Sequence, residues 1–93
     1  MSERIVEVVP ADGLHARPAA KFVEAANEHK ADVTVQPVDG DTDPVDARSM
    51  LGVTSLGVAC GDSVKLTAEG ADADEALDAL ETVLSTPEAE QDA

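Results

Sequence analysis

Apolar residues recur along this chain at two periods, and the alternation of these periods predicts the order of its elements. Short β-branched or alternating stretches predict strands at "RIVEVV" (4–9), "DVTVQPV" (32–38) and "DSVKLTAE" (62–69). Helical spacing predicts one helix from Ala16 to about Glu28 and another from about Asp72 to Leu84. Their apolar faces consist of Ala19, Phe22, Val23 and Ala26 in the first helix, and Ala76, Leu77, Leu80, Val83 and Leu84 in the second.

The middle of the chain has a weaker pattern. "DGDTDP" (39–44) predicts a turn-rich loop, and "VDARSMLGVTSLGV" (45–58) predicts a short helix that stops at Gly52 or Gly57. With one further short strand, the order is β-α-β-β-α-β-α. This order favours an α+β fold with one mostly antiparallel sheet and the helices on one side. We expect a single domain over residues 1–86 and a disordered acidic tail over 87–93.

Composition adds limits on the core and on the location of the protein. Hydrophobic residues make up 43% of the 93 residues, yet Phe22 is the only aromatic one, so the core consists of aliphatic side chains. No apolar run approaches the roughly 20 residues of a membrane span, and the first residues lack a signal-peptide layout. The single Cys60 has no partner for an internal disulfide. We therefore expect a cytoplasmic protein with no membrane insertion.

The charge of the chain limits the classes of partner that it can bind. Twenty acidic residues against six basic ones give a net charge of −14. Such a surface repels phosphate backbones, which excludes nucleic acid as a partner. Acids spread along the whole chain, with only three lysines, are typical of a protein from a salt-rich cytoplasm, because molar salt shortens the Debye length to about 3 Å and removes self-repulsion.

The stretch "GLHARPAA" (13–20) places His15 immediately before the predicted first helix. Pro18 suits a first helical turn, and the backbone amides of Ala16 and Arg17 have no partners inside the helix, so an anion beside His15 would meet these donors. Lys21 follows Arg17 by one turn, and Arg48 opens the second helix, so three of the six basic residues are predicted to converge on this site. The structural alternative is a histidine that only caps the turn or packs against the sheet.

Two kinds of chemistry compete for His15. A neutral imidazole is nucleophilic near physiological pH and can carry a phosphoryl group, which the helix N-terminus and a guanidinium would stabilise. Metal binding is disfavoured, because His29 lies about a dozen residues away and no Cys or carboxylate has ligand spacing. We therefore predict a phosphoryl carrier that uses no metal and no cofactor.

The blocks "GLHARPAAKFVEAA" (13–26), "ARSMLGVTSLGV" (47–58) and "GDSVKLTAEGADADEALDAL" (61–80) together resemble the HPr family, the histidine-containing phosphocarriers of the phosphoenolpyruvate-dependent sugar phosphotransferase system. The resemblance implies an open-faced β-sandwich with four strands and three helices. It also implies a protein that is transiently phosphorylated on Nδ1 of His15 and is not an enzyme. Enzyme I would supply the phosphoryl group and a sugar-specific IIA component would receive it, with fructose as the expected sugar in a halophile. Arg17 matches the arginine beside the phosphohistidine.

The same resemblance assigns roles to the second helix. Ser49 matches the family's regulatory serine, which leaves an HPr kinase as a further partner; the structural alternative is an unmodified helix cap. Met50 is expected to point outward and Leu51 to contact the core. The loop before Arg48 is about two residues longer than is usual in the family, and Glu24 and Asn27 stand where bases are common. The expected docking surface consists of Lys21, Arg48, Met50, Leu51, Val53 and Leu56.

Two other functions remain open from the sequence. The same carrier chemistry could serve a dihydroxyacetone kinase relay or a nitrogen-related branch. A regulatory binding protein that acts through Ser49 is the alternative from another class, and the intact pair of His15 and Arg17 argues against it. We expect the protein to be a monomer.

Overall fold

The computed structural model describes residues 2–9, 16–38, 43–59 and 61–85, with the backbone alone at 16 and 17. Within this part of the chain, strands and helices follow one another in the predicted order. They are β1 (Ser2–Glu7), α1 (Ala16–Asn27), β2 (Asp32–Pro37), β3 (Val45–Asp46), α2 (Met50–Ser55), β4 (Ser63–Glu69) and α3 (Ala73–Ser85).

The four strands form one antiparallel sheet in the order β1-β4-β2-β3. The central strand β4 pairs with β1, where Val6 lies opposite Val64, and with β2, where Val35 lies opposite Leu66. Because side chains alternate along a strand, every second residue points to the face that the helices cover. The inward residues of the strands are Val6, Val33, Val35, Val64, Leu66 and Ala68, and Val8, which directly follows β1, is buried with them. The predicted open-faced α+β sandwich is confirmed.

The helices supply the other half of the core. On α1, Ala19, Phe22 and Ala26 recur at helical spacing and are buried, as predicted, while Val23 is half-buried. α3 buries the predicted residues as well, with Ala73 added and Val83 only partly covered. Phe22 is completely buried, so the one aromatic ring of the chain lies in an otherwise aliphatic core.

Element ends differ from the predictions by one or two residues. The strand predicted at 4–9 pairs over Ser2–Glu7, because Val8 and Val9 leave the ladder and donate their amides to the carbonyls of Asp62 and Leu84. α2 continues through Gly52 and ends before Gly57, whose φ of 66° lies in the left-handed region that favours glycine.

Another glycine allows the turn before α3 to pack closely. Gly70 has a φ of 143°, and a Cβ built on it would lie 2.9 Å from Cα of Ala31. Only glycine fits this contact, which holds the turn at Gly70 against the segment that follows α1. No described helix has the length and apolar composition required to cross a membrane. The predicted tail at 87–93 lies outside the described residues.

Candidate functional site

The candidate site lies at the first turn of α1. This helix starts at Ala16, one residue after His15, which lies outside the described residues. Helix geometry leaves the amides of Ala16 and Arg17 without carbonyl partners in the helix, and the helix dipole adds partial positive charge there. Pro18 is buried in the first turn, where its missing N–H removes no helical hydrogen bond. The start of α1 therefore provides the amide donors that an anion requires.

Lys21 lies one turn further along α1 and is exposed. It has no ion-pair partner among the described residues. A shallow groove between α1 and α3 is lined by Lys21, Glu24, Ala25, Glu28 and Val83. Because the two glutamates lie in this groove, the positive charge of Lys21 stands in a mixed and partly acidic environment.

Arg48 does not join a basic patch at His15, and that prediction was wrong. Its guanidinium donates to the carbonyl oxygens of His29 at 2.8 Å and Ala31 at 3.0 Å, and to the carboxylate of Asp32 at 3.2 Å. These acceptors follow the C-terminal end of α1, and a helix of 12 residues is about 18 Å long. Arg48 therefore holds the turn at the opposite end of α1 from the predicted phosphoryl site.

Asp72 binds the same turn from another side, a contact that was not predicted from the sequence. Its carboxylate accepts the amides of Lys30 at 3.0 Å and Ala31 at 2.8 Å. The hydrogen bond from Lys30, followed by that from Ala31, lowers the pKa of Asp72 from its usual 3.8 against the opposing effect of desolvation. An aspartate directly before a helix is a recognisable cap signal. Its hydrogen bonds to amides of a turn distant in sequence cannot be predicted from the sequence pattern.

Ser49 caps α2. Its backbone is extended, and its Oγ accepts the amide of Gly52 at 3.0 Å. This is the geometry of an N-cap, and it satisfies one of the free amides of the first turn. The unmodified serine thus already has a structural use, and its phosphorylation stays a prediction.

The apolar residues of α2 divide differently from the prediction. Leu51 was expected to contact the core, but it is 81% exposed. Val53 was assigned to the docking surface, but it is fully buried and cannot touch a partner. At about 100° per residue, these two side chains lie roughly 200° apart around the helix, so burial of one exposes the other. Met50 is 41% exposed, as predicted, and Leu56 is half-buried against the core.

The described residues therefore separate the predicted site into two parts. The start of α1 and Lys21 remain together, and α2 contacts α1. Arg48 belongs to the far end of α1, and Val53 belongs to the core. Within the described part of the chain, no group of three or more His, Cys, Asp and Glu side chains is placed to hold a metal ion.

Comparison with known proteins decides the family. Residues 2–86 match the family model described as the PTS HPr component phosphorylation site. This chain belongs to the HPr family. A phosphocarrier protein HPr of Haloferax volcanii is 64% identical to it over 89 residues, which cover 96% of this chain and 99% of that protein. A crystal structure of an HPr from Bacillus anthracis has a TM-score of 0.83 at 39% identity, covering 90% of this chain and 96% of the other.

A third similarity is to part of a larger protein. A multiphosphoryl transfer protein of Escherichia coli O157:H7 is 43% identical over 68 residues, which cover 73% of this chain and 18% of that protein. HPr proteins are phosphocarriers of the phosphotransferase system, not catalysts, and they interact with components such as Enzyme I and IIA. The chain accordingly takes part in phosphoryl transfer of this kind. The expectation of a halophilic source fits the Haloferax relative.

Proposed function

We propose that His15 carries the phosphoryl group, which it receives from Enzyme I and passes to a IIA component in sugar uptake. The observation that carries this proposal is the start of α1 at Ala16, where the amides next to His15 are free of helical partners. The neutral imidazole nitrogen attacks phosphorus, a new N–P bond forms, and the bond between phosphorus and the donor group of Enzyme I breaks. The amides of Ala16 and Arg17, together with the Arg17 guanidinium, are assigned to hold the phosphoryl oxygens.

Fructose is the proposed sugar, since the acidic composition and the Haloferax relative both favour a halophilic source. The same chemistry would operate if the acceptor belonged to a dihydroxyacetone kinase relay. The acceptor can be identified by incubating the phosphorylated chain with a purified IIA component of fructose type and, separately, with a phosphoryl-accepting dihydroxyacetone kinase subunit. Transfer of the label to the IIA component alone would support sugar uptake. Transfer to the dihydroxyacetone kinase subunit alone would overturn that assignment.

We assign the contact surface for these partners to Lys21, Met50, Leu51 and Leu56. All four lie on α1 or α2, and none of them is fully buried. The chain is proposed to act as a cytoplasmic monomer. A second role through an HPr kinase at Ser49 is supported by the exposure of that residue, which makes its hydroxyl accessible to an enzyme. On phosphorylation, a phosphate oxygen would have to accept the Gly52 amide in place of Ser49 Oγ.

The decisive experiment is phosphorylation with phosphoenolpyruvate and Enzyme I of the same organism in molar salt. We expect one acid-labile, base-stable phosphate per chain and none in His15→Ala. His29→Ala is the matched control, because it removes the second histidine, whose Nδ1 is 2.9 Å from the Ala25 carbonyl at the opposite end of α1. A label that survives in His15→Ala, or is lost in His29→Ala alone, would overturn the assignment.

A further inference from the structure

The second helix has little support from the core. α2 has six residues, and Val53 is the one among them that is fully buried. Within the described part of the chain, the contacts of α2 are chiefly with α1 and with β3, a two-residue strand at the edge of the sheet. A helix of this length is not stable on its own. Its position therefore depends on the contacts that hold its ends.

The backbone before α2 is bound to the sheet. The amide of Ala47 donates to the carbonyl of Val33 on β2 at 2.9 Å. Asp46, the last residue of β3, accepts the amide of Arg48 with its side chain at 2.9 Å and the amide of Ser49 with its carbonyl at 3.0 Å. These bonds fix the segment against β2 and β3. They do not reach α1, although α2 contacts that helix.

The Arg48 side chain links the two helices. Its guanidinium donates to the carbonyl oxygens of His29 and Ala31 in the turn after α1, and to the carboxylate of Asp32 at the start of β2. The last turn of α1 contains no basic residue, so this cation comes from a part of the chain distant in sequence. A positive charge is favourable at the C-terminal end of a helix, where the dipole is negative. One side chain thus joins the end of α1 to the start of α2.

The proposed contact surface for Enzyme I is divided between these two helices. Lys21 lies on α1, while Met50 and Leu51 are the first two residues of α2 and follow directly after Arg48 and the cap at Ser49. A partner that covers both helices binds best when their relative position is already fixed, because ordering a mobile element on binding costs free energy. The link through Arg48 is placed to reduce that cost.

We propose that Arg48 is a positioning residue for the docking of Enzyme I, which fixes α2 relative to α1 and does not contact the partner itself. The proposal rests on the phosphocarrier function in taking Enzyme I as the partner. The guanidinium of Arg48 binds the turn at the opposite end of α1 from His15, so it acts through α2 and not on the phosphoryl group. Loss of the link should weaken binding and leave the transfer step within the complex unchanged.

Asp72 provides a matched control, because it binds the same turn from another side. Its carboxylate accepts the amides of Lys30 and Ala31, and it precedes α3 instead of α2. Arg48→Met and Asp72→Asn each remove one charged partner of the turn, but only Arg48→Met removes the link to α2. Methionine keeps an unbranched side chain without a donor, whereas Arg48→Lys keeps the positive charge without the planar guanidinium.

The test compares these three variants with the wild-type full chain in 3 M KCl by three measurements. Residual dipolar couplings of backbone amides give the orientation of α2 relative to α1. Isothermal titration calorimetry gives the Kd for Enzyme I of the same organism, with His15 unphosphorylated. Rapid-quench kinetics gives the rate of phosphoryl transfer at saturating Enzyme I. Circular dichroism establishes that each variant is folded, and if Arg48→Met does not fold, Arg48→Lys carries the same comparison with Asp72→Asn.

We expect Arg48→Met to change the couplings of α2, to raise the Kd about fivefold and to leave the transfer rate at saturation unchanged. The Kd of Arg48→Lys should lie between those of wild type and Arg48→Met, and Asp72→Asn should match wild type in all three measurements.

Three results would overturn the proposal. Wild-type couplings and Kd in Arg48→Met would show that α2 does not depend on the link. An equal rise of Kd in Asp72→Asn would show that only the stability of the turn matters. A slower transfer at saturation with an unchanged Kd would show that Arg48 acts on the phosphoryl group. Because the couplings and the Kd are measured without phosphoryl transfer, a chain that meets both expectations but takes no label on His15 would refute only the phosphocarrier assignment.

Discussion

Two charged side chains define the turn between α1 and β2 at the scale of single residues. Arg48 donates to carbonyl oxygens of the turn, while Asp72 accepts its amides, and both contact Ala31. Charged side chains from two loops, one before α2 and one before α3, thus pair with amides and carbonyl oxygens of this turn. Charge-assisted hydrogen bonds of this kind are stronger than neutral ones, so they help to fix the turn.

The lowered pKa of Asp72 predicts how this turn responds to acid. A carboxyl whose pKa is depressed in the folded chain stabilises the fold above its usual pKa of 3.8 and loses that contribution as the pH falls through the lower folded value. Asp72→Asn keeps an oxygen but removes the charge. We expect the free energy of unfolding to be lower in Asp72→Asn than in wild type at pH 7, and the difference to shrink below pH 3.8.

Urea unfolding at a series of pH values in constant molar KCl measures this difference. Asp74→Asn is the control, because Asp74 also lies at the start of α3 but accepts from the Ser2 hydroxyl rather than from the turn. A difference for Asp72→Asn that is constant from pH 7 to pH 2 would contradict the linkage.

Arg17 provides a second prediction at this scale, on function rather than stability. If its guanidinium holds the phosphoryl group, Arg17→Ala should fold normally and transfer phosphate more slowly, with a loss of about 1–3 kcal/mol in the transition state. Arg17→Lys keeps the charge but lacks the planar guanidinium, so its transfer rate should lie between those of wild type and Arg17→Ala. Rapid-quench kinetics of phosphoryl transfer from Enzyme I is the measurement. Unchanged rates in Arg17→Ala would mean that the backbone amides alone hold the phosphate.

At the scale of elements, the length of each helix decided how well it was predicted. α1 and α3 extend over three turns or more, so several apolar residues fix the phase of each face, and their ends were predicted within a residue or so. α2 has six residues, fewer than two turns, and too few to fix a phase. The sequence therefore left its end open between Gly52 and Gly57, and reversed the roles of Leu51 and Val53.

Long-range contacts were the other part that sequence patterns could not supply. The placement of Arg48 near His15 was inferred from its position before α2, but the side chain is long enough to reach the other end of α1. Whether the Arg48 side chain reaches the start or the end of α1 depends on the packing of α2 against α1. In contrast, the predicted cap at Ser49 and the helix start at Ala16 rest on local backbone geometry, which neighbouring residues determine.

The cap at Ser49 gives a prediction for the stability of α2. Ser49→Ala leaves the Gly52 amide without its acceptor and should destabilise the protein by about 1 kcal/mol. Ser49→Asp should cost little, since aspartate is an equally good cap. Ser55→Ala is the control on the same helix, because its hydroxyl donates to the Gly52 carbonyl and caps no amide. Urea unfolding in molar salt measures all three, and equal stabilities for Ser49→Ala and Ser55→Ala would contradict the capping role.

For the whole molecule, the distribution of charge is the dominant feature. The 20 acidic residues are spread from Glu3 to Asp92, and those in the described part of the chain lie on helices, strands and loops alike. Arg4 donates to Asp78 at 2.5 Å and Glu81 at 2.8 Å, which raises the pKa of Arg4 and joins β1 to α3. Lys65 pairs with Glu3 across two neighbouring strands. Among the residues that the structure describes, ion pairs involve only a minority of the acids, so most of the negative charge there has no cation beside it.

This imbalance predicts a fold that depends on salt. At low ionic strength the unpaired acids repel one another over about 30 Å at 0.01 M, which is comparable to the largest extents of the molecule, 33 by 32 Å. In molar salt the range falls to about 3 Å, and only direct neighbours interact. The aliphatic core, which contains a single aromatic ring, has little reserve against that repulsion.

We therefore expect the chain to unfold on dialysis from 3 M to 0.01 M KCl and to refold when KCl is restored. Circular dichroism at each salt concentration is the measurement, and acidification to about pH 4 in low salt is the control, since partial protonation of the acids should restore some structure. A chain that keeps its full thermal stability in 0.01 M KCl at pH 7 would show that the acidic surface is tolerated without screening.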